Sequence, residues 1–527
     1  MSQKTVFVNA TIYSMDRKSA GARAIAVEDG KITAIGGNAE IKPLAKRGFT
    51  VIDLKKKTVI PGIIDSHLHL LSLGNNFKRV NLDGIDSLPG ITEKIRKAAA
   101  KLSGESWLLG RGWNKNLWGE TFPDKTLLDE ITSNPVALYS KDGHLLWVNS
   151  TALKIAGLDR STPDPPGGLI ERDHKGEPTG ILKENAADLV DDIIPRETFA
   201  DKTESIRLAQ EHLLSLGITG AGDCDGDKDI ITICHDLDQR KKLRLRIFKM
   251  ISSRGFQRAL DFKFHTGLGT EHFRIGCLKL FADGALGSQT ALMFKPYEGS
   301  MNNYGVQTLS QYEIEDYVRR AFDAGISVAI HAIGDKANYQ ALSGIGKYSH
   351  EFRKRNLRPR IEHAQVLRKS DTVLFSRYGI IPSVQPIHAT SDRDIADRYW
   401  GARSRYAYPF KTFLGLGAHL AFGSDAPIET ADPIAGIYAA ATRKRQHENR
   451  TAWYPDEKIT ARQAVHAYTS GSAYACCFDD ITGSISVGKR ADFVALSDDI
   501  FEVKPDKISD IRVLMTVIDG SMAFGGI

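Results

Sequence analysis

Cysteine is scarce in this chain and dispersed. Cys224, Cys234, Cys277, Cys476 and Cys477 are the only five, with no C-x-x-C pair among them. That pattern excludes a disulfide framework or a thiolate zinc cluster and points to reduced thiols in the cytoplasm. Long apolar runs are missing too: no stretch approaches the ~18 residues of a bilayer span. The first residues, "MSQKTVFVNATIYSMD", alternate like a strand and lack the basic region, apolar run and cleavage site of a secretory leader. Charge of one sign is not concentrated: 70 Lys and Arg stand against 64 Asp and Glu, a net +6 over 527 residues. Short basic runs such as "QRKKLRLR" read as solvated helix ends, so neither a membrane nor a nucleic-acid partner is expected. No G-x-S-x-G elbow occurs, and no thiol sits in a motif, so a covalent nucleophile is not favoured.

What is present has two textures. Residues 1–60 read as short strands and Gly-bearing turns, "TVFVNATIYS" and "ARAIAVEDGKITAIGG" among them. The tail, 480–527, repeats that style in "GSISVGKRADFVALSDD" and "IRVLMTVIDGSMAF". Neither end is long enough for a secure core, so the two are expected to build one small composite β-sandwich domain. Between them, over 61–479, apolar-periodic helices, glycine stops and strands alternate, as in "ESIRLAQEHLLSLGITGAG" and "IEDYVRRAFDAGISVAIHAIGD". About eight such strands give the rhythm of a (β/α)8 TIM-like barrel. The gap between the first strand, near 64, and the second, near 219, is too long for one crossover. An insertion is therefore expected at about 75–200, and it carries Trp107, Trp113, Trp118 and Trp147. Those rings either wall a pocket or form the insertion's own core.

The stretch "PGIIDSHLHL", residues 61–70, puts two histidines at the end of an apolar run. Residues two apart on a strand share a face, so Asp65, His67 and His69 point the same way, toward the mouth if this is a barrel strand. Two hydrogen-bonded polar residues at a strand end would look the same. Other strand ends add weight: "VAIHAIGD" with His331, "RIEHAQ" with His363, "LAFGSDAP" with Asp425. Burying that many ionisable groups costs free energy unless a cation satisfies them. Nitrogen and oxygen donors suit Zn²⁺, with Fe, Mn or Co as alternatives. In "CLKLFADG", Lys279 has the inward phase, and a buried lysine needs a carboxylate, a depressed pKa or conversion to a carbamate. His388 in "VQPIHAT" follows the seventh strand, where it either meets substrate, steadies an oxyanion or serves the loop. Asp283, in the glycine-rich turn "FADGALGSQT" with Gln289, either contacts a ligand or caps the turn; the spacing is not that of a phosphate loop.

"PGIIDSHLH", "LKLFADG", "IHAIGD", "IEHAQ" and "GSDAP", in this order, resemble the amidohydrolase superfamily, in particular the amidohydrolase family 3 branch that includes N-substituted formamide deformylase. The likeness runs from the N-terminal sheet to "GSISVGKRADFVAL". It implies metal ligation by His67, His69, Lys279, His331, His363 and Asp425, with Lys279 N6-carboxylated in binuclear members and one or two ions bound. Asp425 would be ligand and proton shuttle, and His331 and His388 the other catalytic groups. The segment "SKDGHLLWVNSTAL" also resembles this branch and makes His144, Trp147 and Asn149 pocket candidates; Trp113, Asp283 and Gln289 join them as expected substrate contacts. The implied function is hydrolysis of a non-peptide C–N bond, an N-acyl or N-substituted, formamide-like amide, by metal-activated hydroxide. The rivals are a deaminase or cyclic amidohydrolase at the same centre, and a non-catalytic metal-stabilised binding protein. The partner expected is a small-molecule amide, with a homodimer as an assembly to test.

Overall fold

The computed structural model describes residues 4–16, 21–102, 104, 106–118, 122–140, 145–166, 168–226 and 228–527. The chain divides into two compact units: Met1–Leu71 with Ala209–Ile527, and Ser72–Leu208.

In the first unit, eight parallel strands follow one another in chain order around a single sheet: Ile63–Leu68, Ile218–Asp223, Arg246–Ser252, Phe273–Phe281, Val328–Ala332, Arg360–His363, Ile381–Val384 and Ala421–Phe422. Most are short and rich in apolar residues, as expected of strands covered on both faces, whereas Arg360–His363 alternates charged residues with Ile361. Helices such as Gln311–Asp323, which begins with a Ser310–Glu313 capping box, return the chain to the next strand. The eighth strand meets the first through Asp425 N–H to His67 O at 2.7 Å and His69 N–H to Ala426 O at 2.8 Å. Gly423 makes that approach possible, because an added Cβ would stand 2.6 Å from the His67 backbone nitrogen. The barrel expected from the strand–helix alternation is therefore borne out.

Two further sheets come from the chain ends. One orders Lys31–Gly36, Ala24–Glu28, Lys4–Val8 and Thr50–Asp53. The other orders Thr11–Ile12, Thr58–Pro61, Phe493–Leu496, Val513–Ile518 and Ser521–Gly525. Phe7, Ile25 and Val27 of the first pack with Val59, Phe493 and Val517 of the second in one buried cluster, which makes a sandwich. Neither terminal segment could bury these faces alone. Arg246, at the start of the third barrel strand, pins the sandwich to the barrel by pairing with Asp492 at 2.6 Å and Asp519 at 2.8 Å.

The unit Ser72–Leu208 is built on a six-stranded mixed sheet, in the order Gly168–Arg172, Pro178–Glu184, Leu145–Val148, Val136–Ser140, Leu108–Trp113 and Val80–Asn81. Strand alternation splits its apolar residues between two clusters: Ala137, Leu146, Val148 and Leu182 in one, Val136, Leu138, Trp147 and Ile181 in the other. This corrects part of the expected substrate contacts. Trp113 and Trp147 are fully buried in the second cluster, with Trp113 Nε1 donating to Leu138 O and Trp147 Nε1 to Asp124 O. Asn149 caps the helix Ser150–Ile155: its Oδ1 accepts from Ala152 N and Val136 N, and its Nδ2 donates to Asn134 O. All three are spent on their own unit's core. His144 lies outside the described residues. Among the described residues no helix is long and apolar enough to cross a membrane.

Candidate metal centre

The C-terminal ends of the barrel strands deliver their polar residues to one cavity of about 370 Å³. His67 lies within the first strand, with His69 just beyond it; Lys279 comes from the fourth, His331 from the fifth and His363 from the end of the sixth. His388 opens a short helix after the seventh, and Asp425 follows the eighth. Every described residue lining the cavity belongs to the first unit. His363 and Asp425 sit at φ +69° and +62°. Left-handed backbone at non-glycine residues costs about 1–3 kcal/mol and persists where surroundings enforce it, typically at functional sites. Here it turns the chain at two strand tips.

Asp425 is the hub. Its Oδ1 lies 3.4 Å from His67 Nε2 and 3.2 Å from His69 Nε2, and its Oδ2 lies 3.3 Å from His388 Nε2. Burial works against the Asp425 anion, but His388, His69 and the other imidazoles outweigh it and hold the carboxyl well below its usual range. His67 is oriented from behind. Its Nδ1 meets Glu362 Oε2 at 2.6 Å, and Glu362 is itself paired with the buried Arg360. A carboxylate there keeps the proton on Nδ1 and leaves the Nε2 lone pair facing the cavity. His69 Nδ1 is 3.4 Å from Asp225. Burial disfavours the His69 and His388 cations, yet their carboxylate neighbours lift each to about 9. His331 goes the other way: burial, then Lys279, push it down to about 3. Its Nε2 donates to Gly284 O at 2.9 Å, so Nδ1 is its acceptor. The His363 ring centroid stands 4.4 Å from that of His331 and 4.9 Å from that of His67.

Two groups of donor atoms each lie within 4.8 Å of one another: His67, His69 and Asp425; His363, His388 and Asp425. Lys279 and His331 line the same cavity but belong to neither group. Lys279 Nζ and His363 Nδ1 are buried, and neither has a hydrogen-bond partner among the described residues. Adjacent imidazoles that share a carboxylate and leave a ring nitrogen and an amine unsatisfied fit a divalent cation and its oxygen ligands.

Several of these neighbours were missed in the sequence. Arg360 and Glu362 alternate with Ile361 in "RIEH", and Asp223 and Asp225 alternate in "GDCDG". Charged residues at every second position of an apolar strand were the available signal. Asp225 Oδ2 accepts from Leu71 N at 2.7 Å, Asp223 Oδ1 from Leu70 N at 2.9 Å, and Lys249 Nζ lies 2.8 Å from Asp223 Oδ2. Of the two roles open to Asp283, the structure has the clamp: the carboxylate accepts from Leu292, Ile333 and Gly334 N–H, and it is absent from the residues lining the cavity. Gln289 sits in the same turn at φ +54°, while the cavity is lined by Ala285, Leu286 and Gly287.

A parallel barrel with imidazoles and a carboxylate gathered at its C-terminal strand ends defines a metal-dependent hydrolase of non-peptide C–N bonds. The family model described as "Amidohydrolase family" matches residues 50–524, and the chain belongs to that family. It is 34% identical to Protein LONG AFTER FAR-RED 3 of Arabidopsis thaliana, over 98% of this chain and 91% of that protein. It is 26% identical to the N-substituted formamide deformylase of Arthrobacter pascens, over 98% of each chain. Among solved structures, an uncharacterized metal-dependent hydrolase from Pyrococcus furiosus superposes with a TM-score of 0.79 at 30% identity, over 95% of this chain and 100% of that one.

Proposed function

We propose that this hydrolase cleaves an N-acyl or N-substituted, formamide-like amide, taking up one water to give a carboxylate and an amine. The observation that carries the reading is the position of Asp425, within 3.4 Å of three imidazoles at the bottom of one cavity. The 26% identity to a relative named for N-substituted formamides supports the substrate class. His67, His69, His331, His363 and Asp425 would hold Zn²⁺, with Fe, Mn or Co as alternatives. Lys279 as a carbamate would add an anionic oxygen ligand; its buried Nζ, without a hydrogen-bond partner among the described residues, supports that role. The bound cation would supply Lewis acidity, making water a better acid and a carbonyl a better electrophile.

The chain's own residues supply positioning and proton transfer. Asp425, ionised at neutral pH, accepts a proton from the attacking water and returns it to the leaving nitrogen, which is a poor leaving group until protonated. His388, a cation at neutral pH through its carboxylate neighbours, donates to the oxygen that gains charge as the carbonyl becomes tetrahedral. His331, neutral at this pH, would have a lone pair to offer a cation and no charge to repel it. Glu362 and Arg360 keep His67 in the tautomer that ligation needs.

The test is a panel of formamides, acetamides, cyclic amides and amidines given to metal-replete protein, with products identified by mass. Carboxylate plus amine supports the proposal. Ammonia or a ring-opened single product replaces it with one of the rival reactions, and no turnover at all favours a binding protein.

A further inference from the structure

We infer that the cavity selects substrates carrying an organic cation, an ammonium or amidinium group remote from the scissile bond, and that Glu429 is the residue that selects them. This rests on the amide-hydrolysis reading above and extends it to substrate class.

The argument begins with the cavity lining. Its exposed residues are Phe281, Ala285, Gly287 and Ile428, none of them charged. Beside them sits the half-buried Glu429. Its carboxylate has no ion pair and no hydrogen bond among the described residues, whereas Glu362, Asp425 and Asp225 in the same barrel end each have partners. A partly desolvated carboxylate next to apolar side chains is unfavourable until a cation or N–H donor meets it. A second carboxylate reinforces the sign of the potential. Asp392 also lines the cavity, fixed by Tyr408 Oη at 2.7 Å and Gln365 Nε2 at 3.0 Å.

Among the described residues no arginine lines this cavity, and its lysine, Lys279, is 3% exposed, lies among the imidazoles and sets its Nζ 4.8 Å from the Phe281 ring centroid. A substrate with a free carboxylate at its far end, such as an N-acyl amino acid, would meet Glu429 and Asp392; the cations among the described lining residues, Lys279, His69 and His388, belong to the cluster around Asp425 and the other imidazoles. A substrate with a far ammonium would set its apolar body against Phe281 and Ile428 and its charge against Glu429. Half-buried pairs of this kind discriminate more than fully exposed ones, because solvent screens them less.

Three matched substrates test this with metal-loaded, full-length protein: the formamides of 4-(aminomethyl)benzylamine, 4-methylbenzylamine and 4-carboxybenzylamine. The expected order of kcat/KM is ammonium, then methyl, then carboxylate, with the ammonium about tenfold ahead of the methyl compound, mainly through KM. The ammonium-to-methyl ratio should fall about tenfold in Glu429→Gln, and it should shrink in wild-type protein as ionic strength rises. A ratio near one, or a ratio that Glu429→Gln and salt leave unchanged, overturns the inference while the hydrolysis reading stands. If none of the three is hydrolysed, the reaction reading fails and calorimetry decides the inference separately. Tighter binding of benzylammonium than of benzyl alcohol, lost in Glu429→Gln, upholds it; equal binding of the two probes removes it.

Discussion

At the mouth of the barrel, Lys279 Nζ and His363 Nδ1 are buried without a hydrogen-bond partner among the described residues. In the core of the unit Ser72–Leu208, Trp113 Nε1, Trp147 Nε1 and both ends of the Asn149 amide each have one. Both regions gather large or polar side chains away from water. The tryptophan core has settled its polar atoms internally, so its side chains hold structure together. The barrel mouth has left donors and acceptors pointing into a cavity, at a standing cost that only something entering from outside removes. The same contrast runs through the carboxylates. Asp283 is taken up by three backbone N–H groups, while Glu429 has no hydrogen bond or ion pair among the described residues. Residues of one chemical kind thus divide into structural and chemical roles by whether their bonds are already made.

Substitutions on the two sides should fail in different ways. Asp425→Asn at the mouth should lower kcat by about 10³-fold, since proton transfer by a positioned side chain contributes about 10²–10⁴. Its melting temperature should stay near that of wild type. Trp113→Ala should do the reverse, costing about 3–5 kcal/mol of stability in the tryptophan core, read by denaturant unfolding, with metal content per folded molecule unchanged. A Trp113→Ala protein that keeps wild-type stability but loses turnover would erase the distinction. Glu362→Gln probes the boundary between the roles, because Glu362 is buried and partnered yet acts on His67. It should weaken metal affinity about 10- to 100-fold, measured by competition with a chelator, and Glu362→Asp should restore part of it.

The sequence made one side of this contrast far more legible than the other. His67, His331, His363 and Asp425 each end an apolar run that reads as a strand, and strands of a parallel barrel all bring their C-terminal ends to one face. Local pattern plus one topological rule was enough to gather them. The eight-strand barrel and the composite sandwich were readable for the same reason, since period and turn chemistry are local. Partnership is not local. Glu362 lies 295 residues from the His67 it orients, and only the fold shows that they meet. Trp113 and Trp147 are rich in aromatic surface wherever they lie, so only strand pairing could show that their faces are covered. Leu138 pairs with Trp147 across an antiparallel ladder and accepts from Trp113 Nε1, contacts that leave no trace in either residue's neighbours in the chain. Asp283 stayed open in the sequence for a related reason: a carboxylate in a glycine-rich turn looks the same whether it awaits a ligand or clamps backbone.

The smallest expected effect tests whether a carboxylate with all its bonds made behaves as a structural one. Asp519, where sandwich meets barrel, accepts from His272 Nε2 at 2.8 Å and from Arg246 at 2.8 Å. Burial alone would raise its pKa, but these partners outweigh it and hold the carboxyl well below the usual range. A group depressed on folding binds fewer protons in the native state than in the unfolded chain, where an aspartate titrates near about 3.9. Its stabilisation is therefore complete above that value and disappears as pH falls through the lower, folded one. Asp519→Asn should cost about 2 kcal/mol at pH 7, the size of a hydrogen bond to a charged group. The gap between variant and wild type should narrow as the pH is lowered below about 4, where the unfolded chain takes up the proton, and close only as the folded carboxyl too is neutralised at lower pH. Urea unfolding at a series of pH values measures both curves. A gap that persists undiminished into strong acid would mean that Asp519 acts through shape and not through charge, and the division drawn between settled and unsettled carboxylates would lose its electrostatic basis.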